Sequence, residues 1–173
     1  MAKKAYTPRE RRLVADYAAL TWAGKRIIFN PRLGPVPLQT PRLLTPAVPP
    51  QALAGYRRYP DALVDLGSNV LMVEAKIIAS GAAVGMLEEY LLLWSNTTEY
   101  GDMHGKPIQG AILTAFVDPF CKQIALEHGF LWLVYAPSWI MSDLMSSEFN
   151  LSPPFVSGLT STLQDGGSSS GTD

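Results

Sequence analysis

The chain is poor in the residues that build cross-links and soft-metal sites. Its 173 residues include one cysteine, Cys121, and two histidines, His104 and His128. A single cysteine excludes an intrachain disulfide framework and is typical of a reducing compartment, so we expect a cytoplasmic location. We interpret Cys121 as a core thiol. The histidines stand far apart without metal-ligand spacing, so we assign neither as a ligand.

Long apolar runs are also missing. The longest apolar stretch, residues 130–141, contains Pro137 and is too short to cross a bilayer. The basic start of the chain, MAKKAYTPRERR, is not followed by the apolar segment of a signal peptide, so we expect none and predict no membrane partner. Gly81 and Gly85 do not fit a phosphate-binding loop or a dinucleotide fingerprint.

Positive charge is scarce after residue 58. Residues 59–173 contain three Lys or Arg and thirteen acids, a net −10, whereas residues 1–58 contain eleven Lys or Arg and two acids, a net +9. Basic residues gathered at one end of an acidic chain favour a polyanionic or an acidic protein partner. A charged surface that merely meets water is the alternative interpretation.

Composition divides the chain into three segments. Residues 1–58 form a basic N-terminal part, in which residues 31–50 contain seven prolines. Such a stretch excludes a regular helix or a central strand and predicts an extended arm with polyproline II character. Residues 59–145 form the predicted core, to which a helix over residues 7–20 also belongs. Residues 146–173 are rich in Ser, Gly and Pro and predict a flexible tail.

Apolar periodicity predicts an α/β fold. Thr7 as N-cap, Pro8 as first helical residue and an apolar stripe through Leu13, Val14, Tyr17 and Leu20 predict the first helix. The remaining elements follow in this order: strand 26–29, hairpin strands 62–66 and 70–77, helix 82–95 with Val84, Leu87, Leu91 and Trp94 on one face, strand 108–117, helix 120–128, strand 130–135. This order predicts a mixed central sheet flanked by helices.

The hairpin places two carboxylates and a lysine together. Gly67-Ser68 suits a two-residue loop, which pairs Leu66 with Asn69 and, counting back, Asp61 with Glu74. Side chains two residues apart on a strand share a face, so Lys76 projects beside Glu74. A three-residue loop would instead put Asp61 on the other face.

Opposed carboxylates repel each other unless positive charge lies between them. Lys76 supplies part of that charge, and a divalent cation such as Mg²⁺, held by one or two carboxylates with water and phosphate oxygens, would supply more. A solvated surface hairpin with no chemical role remains the alternative.

The segment YPDALVDLGSNVLMVEAKI resembles the core of the PD-(D/E)xK nuclease superfamily, with Pro60-Asp61 as the PD pair and Glu74-Ala75-Lys76 as ExK. The element order over residues 7–137 is similar too. The resemblance implies a restriction-endonuclease-like fold and a Mg²⁺ or Mn²⁺ cofactor. It implies Asp61, Glu74 and the Ala75 carbonyl as metal ligands and Lys76 as catalytic lysine.

The resemblance also concerns individual positions on the first helix and on the helix after ExK. Glu10 falls where some members carry a further metal-binding acid, and a capping-box glutamate is the equal alternative. Members with a glutamine in a pattern such as QLxxY differ from this chain, which has Met86 there. Glu88 and Glu89 on the same helix suit a phosphate backbone poorly.

Two hypotheses follow. The first is a metal-dependent DNA endonuclease in which Arg57, Arg58, Arg9 and Arg12 contact phosphates; for Arg57 and Arg58, solvated loop charges are the alternative. The second is a catalytically silent protein that uses the nuclease fold as a scaffold in a multi-subunit, phage-like assembly, in the virion or the host cytoplasm. In that case residues 31–50 and the tail would bind a protein partner or a second copy.

Overall fold

The computed structural model describes residues 8–35 and 57–145. The chain divides into two units, residues 1–137 and 138–173. The second unit contributes helix α4 (Ser138–Met145), which we had not predicted. Most of the predicted proline-rich arm, residues 36–50, lies outside the described residues, as do Thr7 and the tail 146–173. No helix in the described parts is long and apolar enough to span a membrane.

The first unit alternates helices and strands in the predicted order. Its elements are α1 (Pro8–Thr21), β1 (Arg26–Phe29), β2 (Ala62–Asp65), β3 (Val70–Ile78), α2 (Gly81–Trp94), β4 (Ile108–Phe116), α3 (Pro119–Glu127) and β5 (Leu131–Val134). Local signals set several of these ends. Pro8 opens α1, Gly24 follows it with a positive φ of 76°, and the Asp118 side chain caps α3 by accepting from the Cys121 N–H.

The five strands form one mixed sheet in the order β1-β2-β3-β4-β5. β1, β2 and β3 are antiparallel neighbours, whereas β3, β4 and β5 run parallel. The tight hairpin between β2 and β3 requires the antiparallel pair. The connections through α2 and α3 are long enough to return the chain for parallel pairing. The predicted α/β fold with a mixed sheet and flanking helices is confirmed.

Helix α2 covers one face of the sheet. Its buried side chains join a single apolar cluster with Leu63 of β2, Met72 of β3 and Ile112 of β4. Cys121 and Ala125 of α3 belong to the same cluster, which confirms Cys121 as a core thiol. The buried residues of α1 are not part of this cluster, and α1 packs on β3. A sheet with helices on two sides buries its central strands completely, as β3 shows from Val70 to Ala75.

One predicted core position was wrong. Leu20 of α1 is 70% exposed, because the buried stripe of α1 passes instead through Leu13, Val14, Ala18 and Trp22. Leu20 lies on the flank of that stripe at 100° per residue. In α2, Val84, Leu87 and Trp94 are buried as predicted and Leu91 packs against the cluster, while Tyr90 is buried in addition.

Gly110 in β4 gives a test of this packing. A Cβ atom on Gly110 would stand 2.8 Å from the ring of Phe130, which is itself buried. Because an aromatic ring in a packed core cannot move far to make room, we expect Gly110→Ala to destabilise the protein by about 1–3 kcal/mol. In α2, Gly85→Ala meets nothing within 4 Å and is expected to be neutral or stabilising by about 0.5–1 kcal/mol. Chemical denaturation measures both; equal midpoints for the two variants would contradict the prediction.

Candidate active site

The β2–β3 hairpin has the predicted register. Ala62 pairs with Val73 and Asp65 with Val70, and the paired residues end at Ala62, directly after Asp61. The Leu66 N–H donates to the Asn69 carbonyl at 2.9 Å, which closes the two-residue loop. Gly67 has a φ of 98°, a conformation that glycine adopts without strain. The predicted even-numbered loop is therefore confirmed.

Asp61 directly precedes the first residue of β2, and hydrogen bonds of its backbone and its side chain fix it there. Its N–H donates to the Val73 carbonyl at 3.0 Å, and its carbonyl accepts from the Asn30 N–H at 3.1 Å. Its carboxylate oxygen Oδ2 accepts from the Ala75 N–H at 2.7 Å. The Asp61 carboxylate thus accepts the hydrogen bond of a β3 N–H group directly before β2 begins to pair with β3. As a result the carboxylate lies against the strand that carries Glu74.

Lys76 connects three acceptors around this carboxylate pair. Its Nζ donates to Glu74 Oε1 at 2.7 Å and to the Ala75 carbonyl at 3.0 Å, and it lies 3.4 Å from Glu10 Oε1 on α1. Glu74 is completely buried and Asp61 is 1% exposed, whereas the Lys76 side chain keeps 19% of its surface accessible. Asp61, Glu74 and Lys76 therefore come together, and the ammonium group lies on the more open side.

The charges around Lys76 keep it protonated. Burial lowers the pKa of Lys76, but the carboxylates of Glu74, Glu10 and Asp61 raise it by more, so its pKa stands above the ordinary value. At neutral pH the side chain is a cation that donates hydrogen bonds. It is not suited to accept a proton from water.

Tyr90 is a site residue for which we had predicted no role. It is 1% exposed, and burial together with the nearby charges of Glu74 and Asp61 raises its pKa, so the hydroxyl stays neutral. The charges of Glu89 and Arg58 also act on this hydroxyl. The sequence signal was the tyrosine of the MLEEY segment, which stands where the QLxxY pattern has its tyrosine.

The oxygen donors around Asp61 suit a hard cation. Two carboxylates and the Ala75 carbonyl provide only oxygen ligands, which fits Mg²⁺ or Mn²⁺ rather than zinc. No group of three His, Cys, Asp or Glu side chains within residues 8–35 and 57–145 is arranged to hold a metal. Glu10 is therefore not placed as a third carboxylate ligand, and Lys76 stands between it and Glu74.

Arg57 has a different role from the predicted one. Its guanidinium forms an ion pair with Glu99 and donates to the carbonyls of Leu33 at 3.3 Å and Arg32 at 3.1 Å, and its side chain is only 6% exposed. The hydrogen bond to Glu99 raises the pKa of Arg57 and lowers the pKa of Glu99. Because its donors serve internal acceptors, Arg57 ties the segment before Asp61 to the rest of the fold instead of facing phosphate.

Arg58, Arg9 and Arg12 are closer to the surface. Arg58 Nε lies 2.6 Å from Glu89 Oε1, and both side chains are nearly half exposed. Arg12 pairs with Asp16 one helical turn away at 3.7 Å, and Arg9 lies half-buried in the first turn of α1. The same helix, α1, thus carries Arg9, Arg12 and the Glu10 that contacts Lys76.

The remaining polar residues of α2 and the histidines have structural partners. Glu88 Oε1 lies 2.6 Å from His128 Nδ1, and His104 stacks on Trp94 with ring centroids 4.4 Å apart. Met86 packs at the border of the apolar cluster. The position at which a glutamine was expected is therefore part of the hydrophobic packing.

Comparison with known proteins gives weak structural likenesses only. No protein-family model and no curated protein matches the chain. Similar solved structures include a repair endonuclease from Pyrococcus abyssi, with 14% identity and a TM-score of 0.46 over 79% of this chain and 50% of that one. Another is EndoMS in complex with double-stranded DNA, with 16% identity and a TM-score of 0.43 over 73% of this chain and 42% of that one.

A third similar structure is a protein of unknown function, with 12% identity and a TM-score of 0.46 over 88% of this chain and 77% of that one. The chain spans about half the length of the first two proteins. Any chemistry assigned to this chain therefore has to come from the geometry of its own residues.

Proposed function

We propose that this chain is a metal-dependent DNA endonuclease with a PD-(D/E)xK site. The observation that carries the proposal is that Lys76 Nζ lies 2.7 Å from the buried Glu74 carboxylate, while Asp61 Oδ2 accepts at 2.7 Å from the N–H of Ala75, the residue between them. Buried carboxylates side by side cost free energy unless a cation compensates them. A protein that keeps two of them against one lysine has a use for a positively charged ligand.

Asp61, Glu74 and the Ala75 carbonyl would hold the Mg²⁺ or Mn²⁺ ion. When bound, such an ion polarises the scissile phosphate and makes a coordinated water more acidic. Asp61 is ready to serve as a ligand because the Ala75 N–H fixes its carboxylate. The Ala75 carbonyl has two lone pairs, so it can accept from Lys76 and still face a cation.

Lys76 would act as a fixed positive charge. In the hydrolysis, water adds to phosphorus while one phosphorus–oxygen ester bond breaks, and one proton of the water ends on the leaving oxygen. The Lys76 ammonium group, protonated because its pKa is raised, can orient the water and stabilise the charge that develops on phosphate. Arg58, Arg9 and Arg12 would contact the DNA backbone beside the site.

A scaffold function is the second candidate, and the burial of the site favours it. Glu74 is fully buried and Asp61 nearly so, and both are compensated from within the protein by Lys76 and the Ala75 N–H. Met86 in place of the glutamine points the same way. In that case the fold would serve a protein assembly, with partner contacts through the residues 31–50 and the tail.

A cleavage assay separates the two candidates. The purified chain is incubated with plasmid, branched and single-stranded DNA in the presence of Mg²⁺ or Mn²⁺, with EDTA as the metal-free control. We expect nicking or cleavage of at least one substrate that EDTA abolishes, because a carboxylate site of this kind needs its cation. Absence of cleavage on all three substrates with both metals would leave the scaffold function as the conclusion.

A further inference from the structure

Arg58 and Glu89 form an ion pair between the segment that leads into Asp61 and helix α2. We propose that the Glu89 carboxylate occupies the phosphate-binding position of Arg58, so that a DNA phosphate must displace Glu89 to bind. This inference rests on the proposed function in taking DNA as the ligand. It adds a residue that weakens DNA binding from within the protein.

Arg58 is well placed to contact a phosphate beside the carboxylates. It stands three residues before Asp61, and its backbone is fixed by a β-bridge with Leu33, whose N–H donates to the Arg58 carbonyl at 2.9 Å. Its partner Glu89 is the residue before Tyr90, whose side chain is buried in the apolar cluster. With its backbone held, Arg58 can change partner by moving its side chain alone.

The pair differs from the neighbouring Arg57 in being exchangeable. The Arg58 side chain is 42% exposed and Glu89 45%, whereas Arg57 is buried among Glu99 and two carbonyls. Half-exposed ion pairs contribute little net stability, so a competing anion can replace one partner at small cost. Phosphate and carboxylate present similar oxygens to a guanidinium, which binds either one with two donors.

Glu89 would also act on the phosphate itself. A carboxylate that stays beside Arg58 repels a nearby phosphate, so binding requires Glu89 to swing away. Removing its charge should therefore strengthen DNA binding in two ways. Arg58 loses its internal partner, and the repulsion disappears.

Glu88 provides a matched control. It is the preceding residue of α2, its side chain is 47% exposed, and it pairs with His128 instead of an arginine. Glu88→Gln and Glu89→Gln change the net charge of the protein equally, so a difference between them reports the local contact with Arg58. Long-range electrostatics is the same for both variants to a first approximation.

The experiment measures binding of the full chain to a labelled double-stranded oligonucleotide by fluorescence anisotropy, in EDTA and about 50 mM salt, where phosphate contacts are strong. We expect Glu89→Gln to bind about two- to fivefold more tightly than the wild type, and Glu88→Gln to remain near the wild type. Arg58→Ala should bind more weakly, with its salt slope reduced by about one. In the Arg58→Ala background, Glu89→Gln should give a smaller gain than in the wild type, because only the loss of repulsion remains.

Equal affinities for Glu88→Gln and Glu89→Gln would overturn the proposal, as would a lack of DNA binding by every variant. The result is independent of catalysis because EDTA removes the metal. If the binding pattern holds and no variant cleaves DNA with Mg²⁺ or Mn²⁺, the contact stands and the proposed reaction falls. If DNA is cleaved and the two glutamine variants bind alike, the reaction stands and the contact falls.

Discussion

Lys76→Met is expected to lower the rate of DNA cleavage by about 10²–10³, the usual effect of removing one group that stabilises charge in a transition state. The cause is the loss of the ammonium group that lies 2.7 Å from Glu74 and stays protonated through the raised pKa of Lys76. Methionine keeps most of the side chain's apolar contacts. The measurement is the rate of plasmid nicking under saturating Mg²⁺ or Mn²⁺.

Lys106→Met is the control for this substitution. Lys106 also binds a carboxylate on the hairpin, with its Nζ 2.7 Å from both oxygens of Asp65, and this contact lowers the pKa of Asp65. Lys106 pairs with the last residue of β2 and not with a residue of the site. The cleavage rate of the Lys106→Met variant should therefore stay within a few-fold of the wild-type rate. Similar losses for both lysine variants would show that Lys76 acts through folding. Circular dichroism and denaturation midpoints check this directly.

Metal affinity is expected to fall at least about tenfold when either Asp61 or Glu74 loses its charge, because Mg²⁺ relies on one or two carboxylates for its protein ligands. Asp61→Asn and Glu74→Gln keep the shape of the side chains and remove one negative charge each. Isothermal titration with Mn²⁺ measures the change. Denaturation midpoints check that both variants are folded, because Glu74→Gln also removes the ion pair with Lys76.

Asp65→Asn is the matched control for the metal experiment. Asp65 lies on the same strand and its carboxylate belongs to the ion pair with Lys106. We expect its Mn²⁺ affinity to equal that of the wild type. Equal affinities in all four proteins would mean that Asp61 and Glu74 are not ligands. Unchanged metal binding in the two site variants would support the scaffold function.

Local patterns were enough to predict the elements and the hairpin. Strand alternation and helical spacing depend on neighbours in sequence, and every strand and helix of the first unit ends within one residue of the predicted position. The register depended on one turn, since Gly67 accepts the positive φ that a two-residue loop needs. For this reason the approach of Asp61 to Glu74 could be predicted before any tertiary contact was known.

The error in helix α1 has a different origin. The apolar stripe of a helix is wide enough for the helix to rotate by about one residue and still bury apolar side chains. The surface against which the helix packs decides which residues of the stripe become buried. In α1 the buried set included Ala18 and Trp22 and left Leu20 outside. In α2 the predicted apolar face packs on the cluster, and Tyr90 is buried beside it, where the charges of Glu74 and Asp61 act on its hydroxyl.

The sequence by itself determined the order of the elements along the chain, the hairpin register and the grouping of Asp61, Glu74 and Lys76, because these follow from short-range geometry. Only the tertiary structure decided the partners of the charged side chains. Arg57 meets Glu99 across 42 residues, Arg58 meets Glu89 across 31, and Lys76 reaches Glu10 on a separate helix. An arginine has the same local signature whether it faces a phosphate or a glutamate. Its role is set by which acceptors the folded chain brings within reach, and long-range packing alone specifies them.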